Sequence, residues 1–131
     1  MKPLPRLREI MARDLILFRP DMDVLHAMEM LLKHRISGAC VVDQSGALVG
    51  VLSKKDCLRA ALHAAYHQDM GSAVAGYMST AVETLDPGLD LVAVAERFLS
   101  SNYRRFPVLE DGRLIGQVSR ADVLKALTES W

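Results

Sequence analysis

The sequence predicts an α+β (α/β) fold made of two copies of a β-α-β-β-α unit. Three observations lead to this prediction. The chain repeats itself once, each copy alternates short apolar runs with amphipathic stretches, and turn signals separate these segments. Two copies are too few for a solenoid, so we expect a pair of similar units packed about a pseudo-twofold axis.

The repeat is visible when Met11 is aligned with Met78. Identical residues then coincide at Pro20/Pro87, Asp23/Asp90, Glu29/Glu96, Leu32/Leu99 and Val41/Val108. After one deletion in the second copy, the match continues at Gly46/Gly112, Leu48/Leu114, Gly50/Gly116, Ser53/Ser119, Asp56/Asp122, Leu58/Leu124 and Ala60/Ala126. We therefore divide the chain into a first repeat with its N-terminal segment (1–66), a connection (67–76) and a second repeat (77–131).

Both copies predict the same elements in the same order. An apolar run, LILF or VETL, ends at the turn signal RPD or DPG. Asp23 or Asp90 then stands at the N-cap position of an amphipathic helix. Two short strands follow, ACVVD and ALVGVL joined at QSG, or FPVLE and RLIGQVS joined at DG. The last helix of each copy begins after Ser53 or Ser119.

Composition excludes several classes of function. Lys plus Arg and Asp plus Glu both number 16, so no global charge attracts nucleic acid or an acidic membrane surface. The two cysteines, Cys40 and Cys57, lack a CxxC spacing and indicate neither a disulfide framework nor a zinc site. No apolar run approaches the ~20 residues of a membrane helix. The N-terminus lacks the apolar stretch of a secretory signal, and we expect a cytoplasmic protein.

One heptapeptide pattern occurs twice, as GVLSKKD ending at Asp56 and as GQVSRAD ending at Asp122. Ser-x-x-Asp at a helix start is the pattern of a capping box, which by itself would explain the repeated serine and acid. However, Lys54, Lys55 and Arg120 lie in the first helical turn, where the helix dipole disfavours cations. Basic residues at this position favour a bound anion.

The other residues of the heptapeptide extend this interpretation. Gly50 and Gly116 precede the serines within a strand, where a missing side chain lets another group approach the backbone closely. A phosphate suits the hydroxyl and the cation but is repelled by the acid. An ionised Asp can instead accept hydrogen bonds from both hydroxyls of a ribose. The combination therefore indicates a phosphorylated ribonucleoside.

On these residues the chain resembles a tandem pair of CBS domains, a Bateman module. The resemblance extends from Met11 to Leu127 and is carried by Met11/Pro20 and Met78/Pro87, by ISGACVVD and YRRFPVLE, and by the two heptapeptides. It implies regulatory binding of AMP, ADP or ATP, and less commonly NAD or S-adenosylmethionine, in clefts between the repeats. The residues themselves show no catalytic constellation, since each recurring carboxylate has no second acid or base beside it, and we expect no catalytic residue, no metal and no required cofactor.

The resemblance also assigns roles to individual positions. It implies ribose binding by Asp56 and Asp122, and phosphate binding by Ser53, Lys54, Ser119 and Arg120. The positions that it places around adenine are Gly38, Ile36, Tyr103, Arg105 and the backbone near Leu17 and Thr84. Arg105 is far bulkier than Gly38, so the two sites must differ. Arg104 and Arg105 either add charge for phosphates, or a guanidinium fills the adenine space.

Broad apolar faces on the helices predict a homodimer through these helices, although a deep interface between the repeats would explain part of them. We expect the output to pass to an effector protein in trans. Two alternatives stay open: an interaction module without functional nucleotide sites, and a small enzyme with a base or metal beside Ser53 or Ser119. His63 and His67 have the spacing of metal ligands, but a surface pair is expected because no third ligand is placed nearby.

Overall fold

The structure is a computed structural model that describes residues 3–67 and 72–131. Its elements in chain order are α1 (Leu7–Ile10), β1 (Leu17–Phe18), α2 (Val24–Lys33), β2 (Gly38–Val42), β3 (Leu48–Ser53), α3 (Lys54–His67), a short 3₁₀ helix (Val74–Gly76), α4 (Leu91–Leu99), β4 (Arg105–Glu110), β5 (Arg113–Ser119) and α5 (Arg120–Glu129). This mixture of helices and small sheets confirms the predicted fold class.

Contacts divide the chain into two compact units. The central unit is Ile16–Val82, and the terminal unit combines Met1–Leu15 with Glu83–Trp131. The segment before the first repeat therefore belongs to the unit that contains the second repeat, and the segment just before Glu83 belongs to the unit that contains the first repeat. The predicted limits 1–66, 67–76 and 77–131 describe the repeats along the chain, whereas the contacts group the residues differently. Part of the predicted connection, residues 68–71, lies outside the described residues.

The central unit contains a three-stranded sheet in the order β1-β2-β3. β1 runs parallel to β2, and β2 pairs with β3 in antiparallel register, with Gly38 opposite Ser53. The strand predicted from LILF is only two residues long, Leu17–Phe18. The core of the central unit consists of apolar side chains from the sheet, from α2 and α3, and from the 3₁₀ helix, including Phe18, Leu31, Val41, Leu52 and Val74.

The terminal unit contains an antiparallel pair, β4 and β5, joined at Asp111 and Gly112. Both joining residues have positive φ, 53° and 78°, as in a type I′ turn, so the hairpin predicted at DG is confirmed. The prediction that VETL forms a strand is wrong. Of these four residues only Leu85 pairs, in a single parallel bridge with Val108. The turn begins directly after it, where Asp86 accepts the Gly88 N–H at 2.7 Å.

The predicted helix caps are formed in both units. Asp23 accepts the Leu25 N–H at 3.0 Å at the start of α2, and Asp90 accepts the Ala93 N–H at 2.8 Å at the start of α4. A cap of this type stabilises a helix by roughly 1 kcal/mol. In the terminal unit, α4 packs against β4 partly through the rings of Phe98 and Phe106, whose centroids lie 4.8 Å apart.

Within residues 3–67 and 72–131, no helix combines the length and the apolar character needed to cross a membrane.

Candidate functional site

The first candidate site lies where β3 passes into α3. The Ser53 Oγ accepts the Asp56 N–H at 3.2 Å, and Asp56 Oδ2 accepts the Ser53 N–H at 2.8 Å and the Ser53 hydroxyl at 2.9 Å. Gly38 lies directly across the ladder from Ser53, and the Lys54 N–H donates to the Ser37 carbonyl at 2.9 Å. The pairing of β2 with β3 and this hydrogen bond therefore hold the start of α3 beside the start of β2.

The second candidate site repeats this arrangement where β5 passes into α5. The Ser119 Oγ accepts the Asp122 N–H at 3.2 Å, and Asp122 Oδ2 accepts the Ser119 N–H at 2.8 Å. Arg105 lies across the ladder from Ser119, as Gly38 does from Ser53. The Arg120 N–H donates to the Arg104 carbonyl at 3.3 Å. The backbone at both sites is thus the same, while the side chains beside the serines differ.

Both Ser-x-x-Asp motifs form capping boxes, the simpler of the two interpretations of the heptapeptide. This role does not use up a carboxylate, because its two oxygens offer about four acceptor positions. The capping box uses Oδ2 of each acid. It also holds each carboxylate at a fixed position beside the strand that begins at Gly38 or Arg105.

The two strand glycines of the heptapeptides allow a close approach, as predicted, but the group that approaches is part of the protein. A Cβ on Gly116 would lie 2.5 Å from the Met11 sulfur and 2.9 Å from the Ala12 carbonyl oxygen. A Cβ on Gly50 would likewise lie 2.7 Å from the sulfur of Met78. The repeated Met and Gly positions therefore contact each other inside each unit, and these glycines serve packing.

The positions predicted to contact adenine lie in the sheets of the two units or a few residues before their strands. Leu17 pairs with Cys40 in β1 and β2, two residues along from Gly38. Ile36 is half-buried just before β2, and Thr84 is half-buried just before the Leu85 bridge. In the terminal unit, Tyr103 is 45% exposed and its ring centroid lies 5.4 Å from that of Phe106.

The basic side chains are exposed at both sites. Lys54 and Lys55 are exposed in the first turn of α3, and Arg104 and Arg105 are exposed at the start of β4. The Arg105 guanidinium therefore does not fill a packed space within its unit. Arg120 lies along the groove between α4 and α5, beside apolar side chains that include Val123 and Leu127.

Sequence reasoning missed one contact at the first site. Arg59, one turn along α3, forms an ion pair with Asp56 Oδ1, and Asp56 is only 6% exposed. The i, i+3 spacing of acid and arginine was the available signal, since residues three apart share a helix face. In the second repeat the equivalent position is Lys125, and the part of the chain that the structure describes places no donor on Asp122 Oδ1.

Other candidate residues have structural explanations. His63 and His67 are exposed with ring centroids 4.5 Å apart, as expected for a surface pair. Over residues 3–67 and 72–131, His, Cys, Asp and Glu side chains form no group of three able to hold a metal ion. Cys40 and Cys57 are buried, as predicted. Burial raises the pKa of the Cys57 thiol, and the charge of Asp56 raises it further, so the thiol stays neutral.

Comparison with known proteins identifies the repeats. The model of the family described as CBS domain matches residues 7–63 and 74–129. An uncharacterised protein of Methanocaldococcus jannaschii, MJ1225, is 30% identical over 125 residues, which make up 95% of this chain and 44% of that protein. The chloroplastic CBS domain-containing protein CBSX1 of Arabidopsis thaliana is 27% identical over 139 residues, with 86% of this chain and 59% of that protein covered. The chain thus spans about half the length of these relatives.

A solved structure shows the same arrangement of elements along the chain. The crystal structure of CBSX2 of Arabidopsis thaliana in complex with AMP superimposes with a TM-score of 0.82 at 28% identity. The match covers 95% of this chain and 96% of the CBSX2 chain.

Proposed function

Because this chain belongs to the CBS domain family as a tandem pair, we propose that it is a regulatory module that binds adenine nucleotides. The observation that carries the proposal is the match to the AMP complex of CBSX2 over nearly the whole chain. The candidate ligands are AMP, ADP and ATP, with NAD and S-adenosylmethionine as less favoured alternatives. No cofactor beyond this ligand is required.

The helix starts of α3 and α5 supply suitable chemistry for a phosphorylated ribonucleoside. Each carboxylate, Asp56 or Asp122, is fixed through Oδ2 by its capping box. Oδ1 of each acid can accept from ribose hydroxyls, although at Asp56 the Arg59 guanidinium competes for it. Ser53 and Ser119, with the exposed basic residues around them, provide donors and charge for phosphate oxygens. We assign contacts with adenine to two equivalent sets of positions. One set lies in the central unit and the other in the terminal unit: Leu17, Ile36 and Gly38, and Thr84, Tyr103 and Arg105.

We assign the chain a binding role and no catalytic one. Each repeated acid is engaged by the serine of its own capping box, and Asp56 also pairs with Arg59. Within the described residues, neither acid has a second carboxylate or a histidine as a partner for acid–base catalysis. A bound nucleotide then acts through differential affinity: it shifts the protein toward the conformation that binds it more tightly. An effector protein would detect that shift.

A thermal-shift panel tests the proposal. AMP, ADP, ATP, NAD and S-adenosylmethionine are compared with GMP as the matched control, each at several millimolar. A ligand at 100 times its Kd stabilises the folded state by about 2.7 kcal/mol, so the melting temperature should rise by several degrees. No shift with any adenosine compound would instead support an interaction module. Hydrolysis of ATP during incubation would support an enzyme.

Exposed apolar side chains support a homodimer through the helices. In the central unit, Leu58, Leu62 and Tyr66 of α3 are 71%, 59% and 78% exposed. In the terminal unit, Leu99 of α4 and Leu124 of α5 are 86% and 63% exposed. Apolar side chains grouped on helix faces are typical of a protein–protein interface. Light scattering at tens of micromolar should give a dimer, and L58E with L124E should give a monomer; a monomeric wild type contradicts the proposal.

A further inference from the structure

The two carboxylates proposed to bind ribose are not equally available. Asp56 is 6% exposed and engaged at both oxygens: the capping box occupies Oδ2, and the Arg59 guanidinium occupies Oδ1. Asp122 is half-buried, and its capping box also occupies Oδ2. No donor from residues 3–67 and 72–131 reaches its Oδ1. The sequence repeat conceals this difference, because both acids occupy the same motif position.

The difference arises one turn further along each helix. Arg59 can reach back to Asp56 with a planar fork of donors that matches a carboxylate. Its counterpart, Lys125, is exposed and carries a compact ammonium on a flexible stem. An arginine at this position competes for the same carboxylate positions as a ribose diol. A ribose that uses Asp56 Oδ1 therefore competes with the guanidinium, whereas no side chain of residues 3–67 and 72–131 competes for Asp122 Oδ1.

We propose that the two sites bind nucleotide in a fixed order: the α5 site, with Asp122, binds first, and Arg59 keeps the α3 site closed until it is displaced. This inference rests on the proposed nucleotide-binding function. It adds that one helix residue, Arg59, makes two sites of the same motif unequal in affinity. Arg59 is a positioning residue here, because it acts on ligand only through Asp56.

Charge favours the same order and indicates the class of ligand. Arg104 and Arg105 are exposed at the start of β4, and neither forms an ion pair within the described part of the chain. The equivalent residues in the central unit are Ser37 and Gly38, which carry no charge. The helix starts offset one of these two charges, because Lys54 and Lys55 of α3 correspond to Arg120 and Ala121 of α5. Guanidinium groups recognise phosphate oxygens with paired donors. The α5 site therefore favours a nucleoside diphosphate or triphosphate over a monophosphate.

Calorimetry with ADP tests the order of binding. The wild type should show one tight event, with any second event at least about tenfold weaker. R59M keeps the aliphatic stem, removes the guanidinium, and should tighten the second event about tenfold. K125M is the matched control and should leave both events unchanged. D122N should abolish the tight event, and D122N combined with R59M should restore one event of moderate affinity.

The outcomes separate this inference from the proposed function. If R59M binds ADP no better than the wild type at the second site, or if K125M has the same effect as R59M, the inference is overturned while nucleotide binding stands. A tight event that survives D122N also overturns it. If AMP, ADP, ATP, NAD and S-adenosylmethionine all give no binding heat with the wild type or with R59M, the proposed function itself is refuted. Because Arg59 is largely exposed, R59M should fold, which circular dichroism checks.

Discussion

Replacing Gly116 by alanine should destabilise the terminal unit, because the space beside it is already occupied. The added Cβ would lie 2.9 Å from the Ala12 carbonyl oxygen and 2.5 Å from the Met11 sulfur. The sulfur can move by rotation of a flexible side chain. The carbonyl oxygen cannot move freely, since it accepts the Gln117 N–H at 2.9 Å, while the Ala12 N–H donates to the Gln117 carbonyl at 2.8 Å.

Relief of this clash requires the segment around Ala12 to move away from β5, which weakens both hydrogen bonds. Overpacking of this kind costs about 1–3 kcal/mol. G76A is the matched control: a Cβ there would meet nothing within 4 Å, and the change should be neutral or stabilise by up to about 1 kcal/mol. G50A should behave like G116A, because its Cβ would lie 2.9 Å from the Ser79 carbonyl oxygen.

Urea unfolding followed by circular dichroism measures the effect. G116A and G50A should lower the unfolding midpoint relative to wild type, and G76A should not. Equal midpoints for G116A and G76A would refute the reasoning, because the close approach of the Met11 segment to β5 would then have no energetic consequence.

Three further predictions concern single side chains. S119A removes the N-cap of α5 and should cost about 1 kcal/mol in urea unfolding, while T128A, an exposed residue in the last turn of the same helix, should cost less; equal losses would contradict the capping role. The Ser45 hydroxyl and backbone N–H donors hold the pKa of Asp43 below its ordinary 3.8, so S45A should raise that pKa in an NMR titration. The stabilisation from Asp43 is complete above pH 3.8 and is lost as the pH falls through the lowered pKa; an unchanged pKa in S45A would contradict this. Finally, the raised pKa and burial of Cys57 should keep native protein unreactive toward iodoacetamide at pH 8, with reaction only after unfolding; rapid native alkylation would contradict the burial.

Features set by short-range chemistry could be predicted from the sequence. Asp23 and Asp90 cap their helices through neighbouring N–H groups, and the Asp111–Gly112 turn forms because this pair tolerates positive φ. The repeated Ser-x-x-Asp capping boxes are equally local, since all their bonds lie within three residues. Such features depend little on the rest of the fold.

Features set by long-range contacts were harder to predict. The pattern of VETL fits a strand, but only Leu85 finds a partner, because a turn begins at the next residue. Gly116 was correctly expected to permit a close approach, yet nothing near it in the sequence identifies Met11 as the neighbour. The Arg59 contact depends on a side-chain conformation as well as on spacing. The difference between Asp56 and Asp122 could therefore not be predicted from the sequence and is visible only in the structure.

The central claim is that the capped acids hold the ribose of an adenine nucleotide. Calorimetry with AMP and with 2′-deoxy-AMP tests it most directly, since the two ligands differ only in the 2′-hydroxyl, which would donate a hydrogen bond to the carboxylate. A hydrogen bond to a charged group contributes about 1.5–3 kcal/mol, so 2′-deoxy-AMP should bind at least about tenfold more weakly. Equal affinity for the two nucleotides would contradict the claim.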